Sequence, residues 1–395
     1  MQELAEKILM GLPTMDFEKY WDGFHGSAFA IYNADEVCLF NHPKCAGNSY
    51  ISIPKTDQFV SCTYIFFEEV PTAIVDIRYF DSFEDIYSLI VHESFHTYQN
   101  SLGESRFPNE AIGPAFPADF QLIQLRILER KVLFDAVMQG SNGHLLDEFI
   151  ALRDERLRLF PAVVEYENRV ETIEGPAFFV EYQALREIDD SETALQRYSN
   201  LLLNAEDSHV HIRKSCYGSG LFLCLLLDQI ASRWQDDFMH SELDLYHFFK
   251  KLKPDYRSAP ISLAGNKDEV NYIIEKMQQQ KKDAFQSFND HSGIKLTLTG
   301  TIQSAGFDPM NLVIHGNQAL HKHFLKIRIG SNEYFIDGPV LTLFDDDFMK
   351  IKTLEVFLKE PPARSSGDSL EIEGMGTFTG HIDDTNKSSI QVSLK

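Results

Sequence analysis

Basic residues are in short supply in this chain: 36 Lys and Arg stand against 59 Asp and Glu, for a formal net charge of −23. A protein that grips nucleic acid or an anionic membrane surface needs a basic face, so neither is expected as a partner. Cysteine is scarce as well. Cys38, Cys45, Cys62, Cys216 and Cys224 are odd in number and lack CxxC spacing. That argues against a disulfide framework and against a Cys-based zinc site. Long apolar runs are missing too, the longest being Leu221 to Leu227, far too short to span a bilayer. Met1-Gln2-Glu3 begins an acidic segment with no basic leader region, so a cytoplasmic location is expected. No internal repeat or low-complexity tract stands out, and Pro361 to Asp368 is expected to be a mobile loop.

What the chain does have is HESFH, His92 to His96, set in an apolar run. Residues four apart on a helix lie one above the other, so His92 and His96 present two imidazoles to one point. Glu93 is close enough round the helix to reach a water held between those rings. Two neutral His ligands and a carboxylate base are the ingredients of zinc-assisted hydrolysis. Ser82 with Asp85 three residues later forms a capping-box start, and Glu84 and Asp85 suit the positive end of a helix. Ile86, Leu89, Ile90, Val91, Phe95 and Tyr98 make that helix apolar nearly all round, so it should be buried.

Around this helix the periodicities divide the chain. Residues 1–80 are expected to be β-rich: Phe29 to Tyr32, Val37 to Phe40, Phe59 to Phe67 and Thr72 to Tyr79 read as a small antiparallel sheet leading into the HESFH helix. An exposed edge of such a sheet could pair with an extended peptide. Residues 81–290 are mainly helical, with segments over Ala118–Gln139 and His144–Phe160, and a Glu-rich segment opened by Pro161. Most of that Glu run is expected to be a solvated face. The loop Phe107–Pro117 is long enough to serve as a lid or cleft wall. From 291 to 395 the period changes from 3.6 to 2, as in Ile294-Leu296-Leu298, Leu325-Ile327-Ile329 and Ile390-Val392-Leu394, which predicts a separate all-β domain of unassigned role. The expected fold class is therefore α+β, a small sheet packed on a helical lobe followed by a β domain.

A catalytic zinc needs a third protein ligand and one position left for water. The spacing after His96 lacks the glycine and third His of metzincins, since Gln99 stands where the glycine would be. Glu174-Gly175-x-Ala177, with Glu181 further on, resembles the Glu-Gly-x-Ala segment of gluzincin metallopeptidases, distantly aminopeptidase-like. Tyr217-Gly218-Ser219-Gly220 is similar to the tyrosine-x-x-glycine element that opens a later helix in that family. The resemblance, carried by three short motifs between about residues 60 and 230, implies a zincin-like catalytic domain. It also implies that Glu174 is a zinc ligand and that Tyr217 supplies a phenol to the oxyanion. Read without it, Glu174 is an acid in the first turn of a helix, ahead of Pro176. Glu171, Glu181 and Asp228 are candidates to orient the histidine rings.

The expected activity is zinc-dependent hydrolysis of a peptide or other amide, with Zn2+ on His92, His96 and Glu174, Glu93 as general base, and Tyr217 on the oxyanion. Two other readings remain at this point. One is a non-catalytic binding or scaffold protein on the same fold. The other is a di-iron carboxylate protein pairing Glu93-x-x-His96 with Glu206-x-x-His209.

Overall fold

In the computed structural model the chain is α+β, with a small N-terminal sheet, a helical middle region and a C-terminal β region. The structure describes all residues except 12–16, 142, 189–190, 254, 258–259, 262, 264–265, 387 and 395. Its contacts group into two compact units. The first comprises Met1–Pro108, Gln124–Ser208 and Lys214–Ala264, and the second Asn109–Ile123, His209–Arg213 and Gly265–Lys395.

The first unit opens with α1 (Gln2–Gly11) and a five-stranded sheet in the order β3-β2-β1-β5-β4. These strands are β1 (Ala28–Tyr32), β2 (Glu36–Phe40), β3 (Tyr50–Pro54), β4 (Thr63–Phe67) and β5 (Val70–Asp76). The sheet is mixed rather than antiparallel, because β1 pairs with β5 in parallel. The strand missed in the sequence is β3: its Ile51 and Ile53 are the only aliphatic residues in a short polar edge strand. Alternation buries Phe29, Ile31, Phe40 and Val75 on one face and Ala30, Tyr32, Leu39 and Ile74 on the other.

Helix α2 (Phe83–Ser101) follows β5 through one 3-10 turn and lies between this sheet and the helical core. Ser82 caps it, its Oγ accepting from the Asp85 amide at 3.0 Å. Ile86 and Ile90 join the sheet's core cluster, while Val91 and Phe95 join the helical one. Burying each of these side chains contributes about 1.5–3 kcal/mol, which offsets the cost of placing polar histidines in the same helix. The helical lobe continues with α3 (Phe120–Met138), α4 (Gly143–Leu159), α5 (Pro161–Ile188), α6 (Ser191–Leu203), α7 (Ala205–Val210), α8 (Ile212–Ile230), α9 (Trp234–Met239) and α10 (Leu245–Lys251).

The second unit contains α11 (Lys267–Asn289) and strands β6 (Ile294–Phe307) to β16 (Ser389–Leu394). Leu296, Leu298, Leu325, Ile327, Ile390 and Val392, read from their period-two spacing, share one buried cluster. Pro361–Asp368 is not simply a loop, since Ala363–Ser366 pairs in an antiparallel hairpin with Ser369–Ile372. The Phe107–Pro117 loop has a packing role in this unit, with Ala111 against Leu312, Phe344 and Phe348. Among the described residues no helix is long and apolar enough to cross a membrane.

Candidate metal centre

His92 and His96 both point their Nε2 atoms at the same place, 3.1 Å apart. Glu174 reaches that place from α5: its Oε2 lies 3.7 Å from His92 Nε2 and 3.6 Å from His96 Nε2. Bonds of about 2.0–2.1 Å to a tetrahedral ion would separate donor atoms by about 3.3 Å, so the donors are spaced to fit one cation. His92, His96 and Glu174 are the one group of three or more His, Cys, Asp or Glu among the described residues whose donors could hold a metal ion.

The hydrogen bonds behind the rings fix which nitrogens face inward. His92 Nδ1 lies 2.8 Å from Glu181 Oε2, and Tyr198 Oη donates to Glu181 Oε1 at 2.8 Å. A carboxylate only accepts, so Nδ1 of His92 carries a proton, and Nε2 is the ring's ligating atom once its own proton is displaced. His96 Nδ1 lies 2.7 Å from Gln99 Oε1, and Gln99 Nε2 donates 2.8 Å to the carbonyl of Ile173. These pairings run His92 with Glu181, His96 with Glu174 and Gln99 with Ile173, so α2 and α5 cross antiparallel.

The 3.1 Å contact between the two Nε2 atoms needs a proton on one of them or a cation between them. Burial opposes a charge on His92, but its bonds to Glu174 and Glu181 and the nearby Glu93 hold the ring protonated up to about 10. A divalent cation meets the same demand with more charge. Burial also pushes the Glu93 carboxyl above its usual range, helped by Glu174 and Glu181 and opposed by His92 and His96. Glu93 is 6 % exposed.

The remaining candidates fall out clearly. Tyr217 stacks on Phe178 with ring centroids 4.8 Å apart, and Phe178 meets His92 edge-on at 4.7 Å. Phe178, Gln99 and Tyr198 were missed, although Phe178 follows Glu174 by four residues and Gln99 follows His96 by three, both on the ligand-bearing face. Of the three acids considered for orienting the rings, only Glu181 does so. Glu171 is bound by Arg153 at 2.8 Å, and Asp228 is exposed. Glu206 and His209 lie on the short helix α7.

Two local readings need correction. Glu174 is not in a first turn, because α5 runs unbroken through Pro176 from Pro161 to Ile188. Tyr217-Gly218-Ser219-Gly220 lies inside α8 instead of opening it. Its glycines serve packing: a Cβ on Gly220 would come within 2.7 Å of Gly175 Cα, and one on Gly218 within 3.0 Å of the Leu202 amide nitrogen. Gly175 thus admits α8 against α5.

The Glu run of α5 is also not a solvated face. Glu167, Glu171, Glu174 and Glu181 are all buried. Glu167 pairs with Arg126 and Arg156, Glu171 with Arg153, and Glu129 of α3 with Arg153 and Arg156.

No family model, curated protein or solved structure matches this chain.

Proposed function

We propose that this chain is a zinc-dependent hydrolase of zincin type, most simply a metallopeptidase. The convergence of His92 Nε2, His96 Nε2 and Glu174 Oε2 at 3.1–3.7 Å beside a buried Glu93 carries the reading. Two imidazoles and one carboxylate suit zinc, which keeps a fourth position open in catalytic sites. Bound there, zinc would polarise a carbonyl and lower the pKa of a water to about 7.

The chain's own residues supply the rest. The Glu93 carboxylate takes a proton from the attacking water and hands it to the leaving amine. Glu181 and Gln99 keep the two rings aimed inward. Tyr217, stacked on Phe178, would donate a hydrogen bond from its phenol to the carbonyl oxygen as charge develops there. Strand β4 ends the sheet, pairing among the described residues with β5 alone, so its outer edge can take an extended peptide as an added strand. Tyr64 of that strand lies 3.5 Å from Asn100 near the end of α2, which brings the edge to the metal-bearing helix.

Elemental analysis of protein purified without added metal tests the reading. About one zinc per chain is expected, together with peptide hydrolysis that a chelator abolishes and zinc restores. Less than about a tenth of an equivalent, or metal retained when His92→Ala and His96→Ala are combined, overturns it.

A further inference from the structure

Gln99 occupies an unusual position: one amide side chain touches both metal-bearing helices. It is buried, and its two ends have different partners. The Ile173 carbonyl can only accept, so the end 2.8 Å from it must be the NH2 group. That leaves Oε1 facing His96 Nδ1 at 2.7 Å, and an amide oxygen can only accept. The proton therefore sits on His96 Nδ1, and the ring's Nε2 lone pair turns toward His92 and Glu174. The chain of constraint begins at a backbone carbonyl one residue before Glu174 and ends at the nitrogen that would bind metal.

We propose that Gln99 is a positioning residue that selects the Nε2-ligating tautomer of His96, using the docking of α5 onto α2 to set its own amide. This rests on the metal-site reading for its purpose, but not for its test. His92 is held by a carboxylate, Glu181, whose acceptor character needs no outside help. His96 is held by a neutral amide that could turn over, and the Ile173 carbonyl fixes which way it points. Gln99 thus orients one ligand without adding a fourth negative charge to Glu93, Glu174 and Glu181.

The experiment uses the full chain, labelled with 15N histidine and stripped of metal, with His96 assigned by the loss of its signals in His96→Gln. Long-range nitrogen–proton spectra should show His96 protonated at Nδ1 and bare at Nε2. In Gln99→Leu, which fills the space but accepts nothing, the Nε2-protonated form should appear. Titration with zinc, using a competing chelator, should find Gln99→Leu about 10–100-fold weaker than the parent chain. Gln99→Glu restores an acceptor for His96 while losing the donor to Ile173, and should recover both the tautomer and most of the affinity. Unchanged tautomer and affinity in Gln99→Leu overturn the proposal. So does Gln99→Glu behaving like Gln99→Leu, since that would make the link to Ile173 purely structural. A parent chain that binds no zinc but whose His96 tautomer still follows residue 99 would sink the hydrolase reading and leave this one standing.

Discussion

The two halves of α5 bury glutamates along one stripe to opposite ends. Glu167 and Glu171 lie in the N-terminal half, where α3 and α4 bring Arg126, Arg153 and Arg156 to meet them. Glu174 and Glu181 lie one to three turns further on, where α2 brings two histidines and a third carboxylate, Glu93. Glu171 and Glu174 are only three residues apart, about 4.5 Å along the axis. In the first half positive charge built into the chain neutralises the carboxylates. In the second half the carboxylates outnumber any fixed positive charge, and the donors are aimed at one point. The first arrangement holds the lobe together. The second leaves three donors that could hold a cation.

The sharpest way to break the comparison is Glu93→Gln. On the proposed mechanism the amide keeps the shape, leaves zinc bound and cannot take the proton, so hydrolysis should fall about 10²–10⁴-fold. Because it removes a buried carboxylate whose ionisation burial already opposes, thermal stability of the metal-free chain should hold or rise. A mutant of parental activity would move the chemistry away from this site.

Arg153→Met is the matched test in the other half. It leaves Glu129 and Glu171 buried and partly unpaired, so a loss of about 3–5 kcal/mol is expected in chemical denaturation. Zinc stoichiometry should not change. The same network predicts a pH dependence. Burial alone would raise Glu129 and Glu167, but Arg153 and Arg156 around the first, and Arg126 and Arg156 around the second, hold both below the usual carboxylate range. Groups depressed in the folded state give stability that is full above their unfolded pKa of about 4.3 and is lost as pH falls through the folded pKa. Melting temperature measured with a chelator present should therefore drop on acidification below about pH 4, and less steeply in Arg156→Met.

How much of this was legible in the sequence follows from what each signal depends on. HESFH and its Ser82 cap are local, and the helix came out where its own residues put it. The strands of the second unit were legible because alternation survives wherever one face is buried. Partnership across the chain was not legible. Nothing in Glu167 or Glu171 says that arginines on two other helices will reach them, so a charge run looked solvated. The parallel pairing of β1 with β5 was hidden for the same reason. Likewise nothing in His321-Lys322-His323 says that its two histidines meet different surroundings. The first is buried and its pKa is pushed down to about 4, while the second pairs with Asp308 at 2.9 Å.

Gly220→Ala tests whether the two halves of α5 are held in one frame. The new methyl would fall 2.7 Å from Gly175 Cα and 3.1 Å from the Glu171 carbonyl, and backbone cannot yield as a flexible side chain does. A cost of about 1–3 kcal/mol is expected. Glu171 and Glu174 flank the contact, so both networks should feel it: stability falls and zinc affinity weakens together. A stability loss with zinc affinity untouched would show the halves to be independent.

The smallest expected effect separates support from ligation. Tyr198 donates to Glu181 Oε1, and Glu181 in turn accepts from His92, so Tyr198 stands two bonds removed from the donor atoms. Tyr198→Phe keeps the ring, which packs edge-on against Phe178 and Tyr182, and removes only the hydroxyl. Glu181 then keeps its bond to His92 but gains freedom to turn. Removing one hydrogen bond to a charged acceptor costs about 1.5–3 kcal/mol where the acceptor is left bare. Here the carboxylate keeps its other partner, so zinc affinity should fall by no more than about tenfold, below the 10–100-fold range seen when a direct partner of a ligating histidine is lost. Glu181→Gln makes the contrast, since its amide could present NH2 to His92 Nδ1 and turn the ring's tautomer over; its loss should be the larger of the two. If Tyr198→Phe weakens zinc more than Glu181→Gln does, the order of support around His92 is not the one the hydrogen bonds describe.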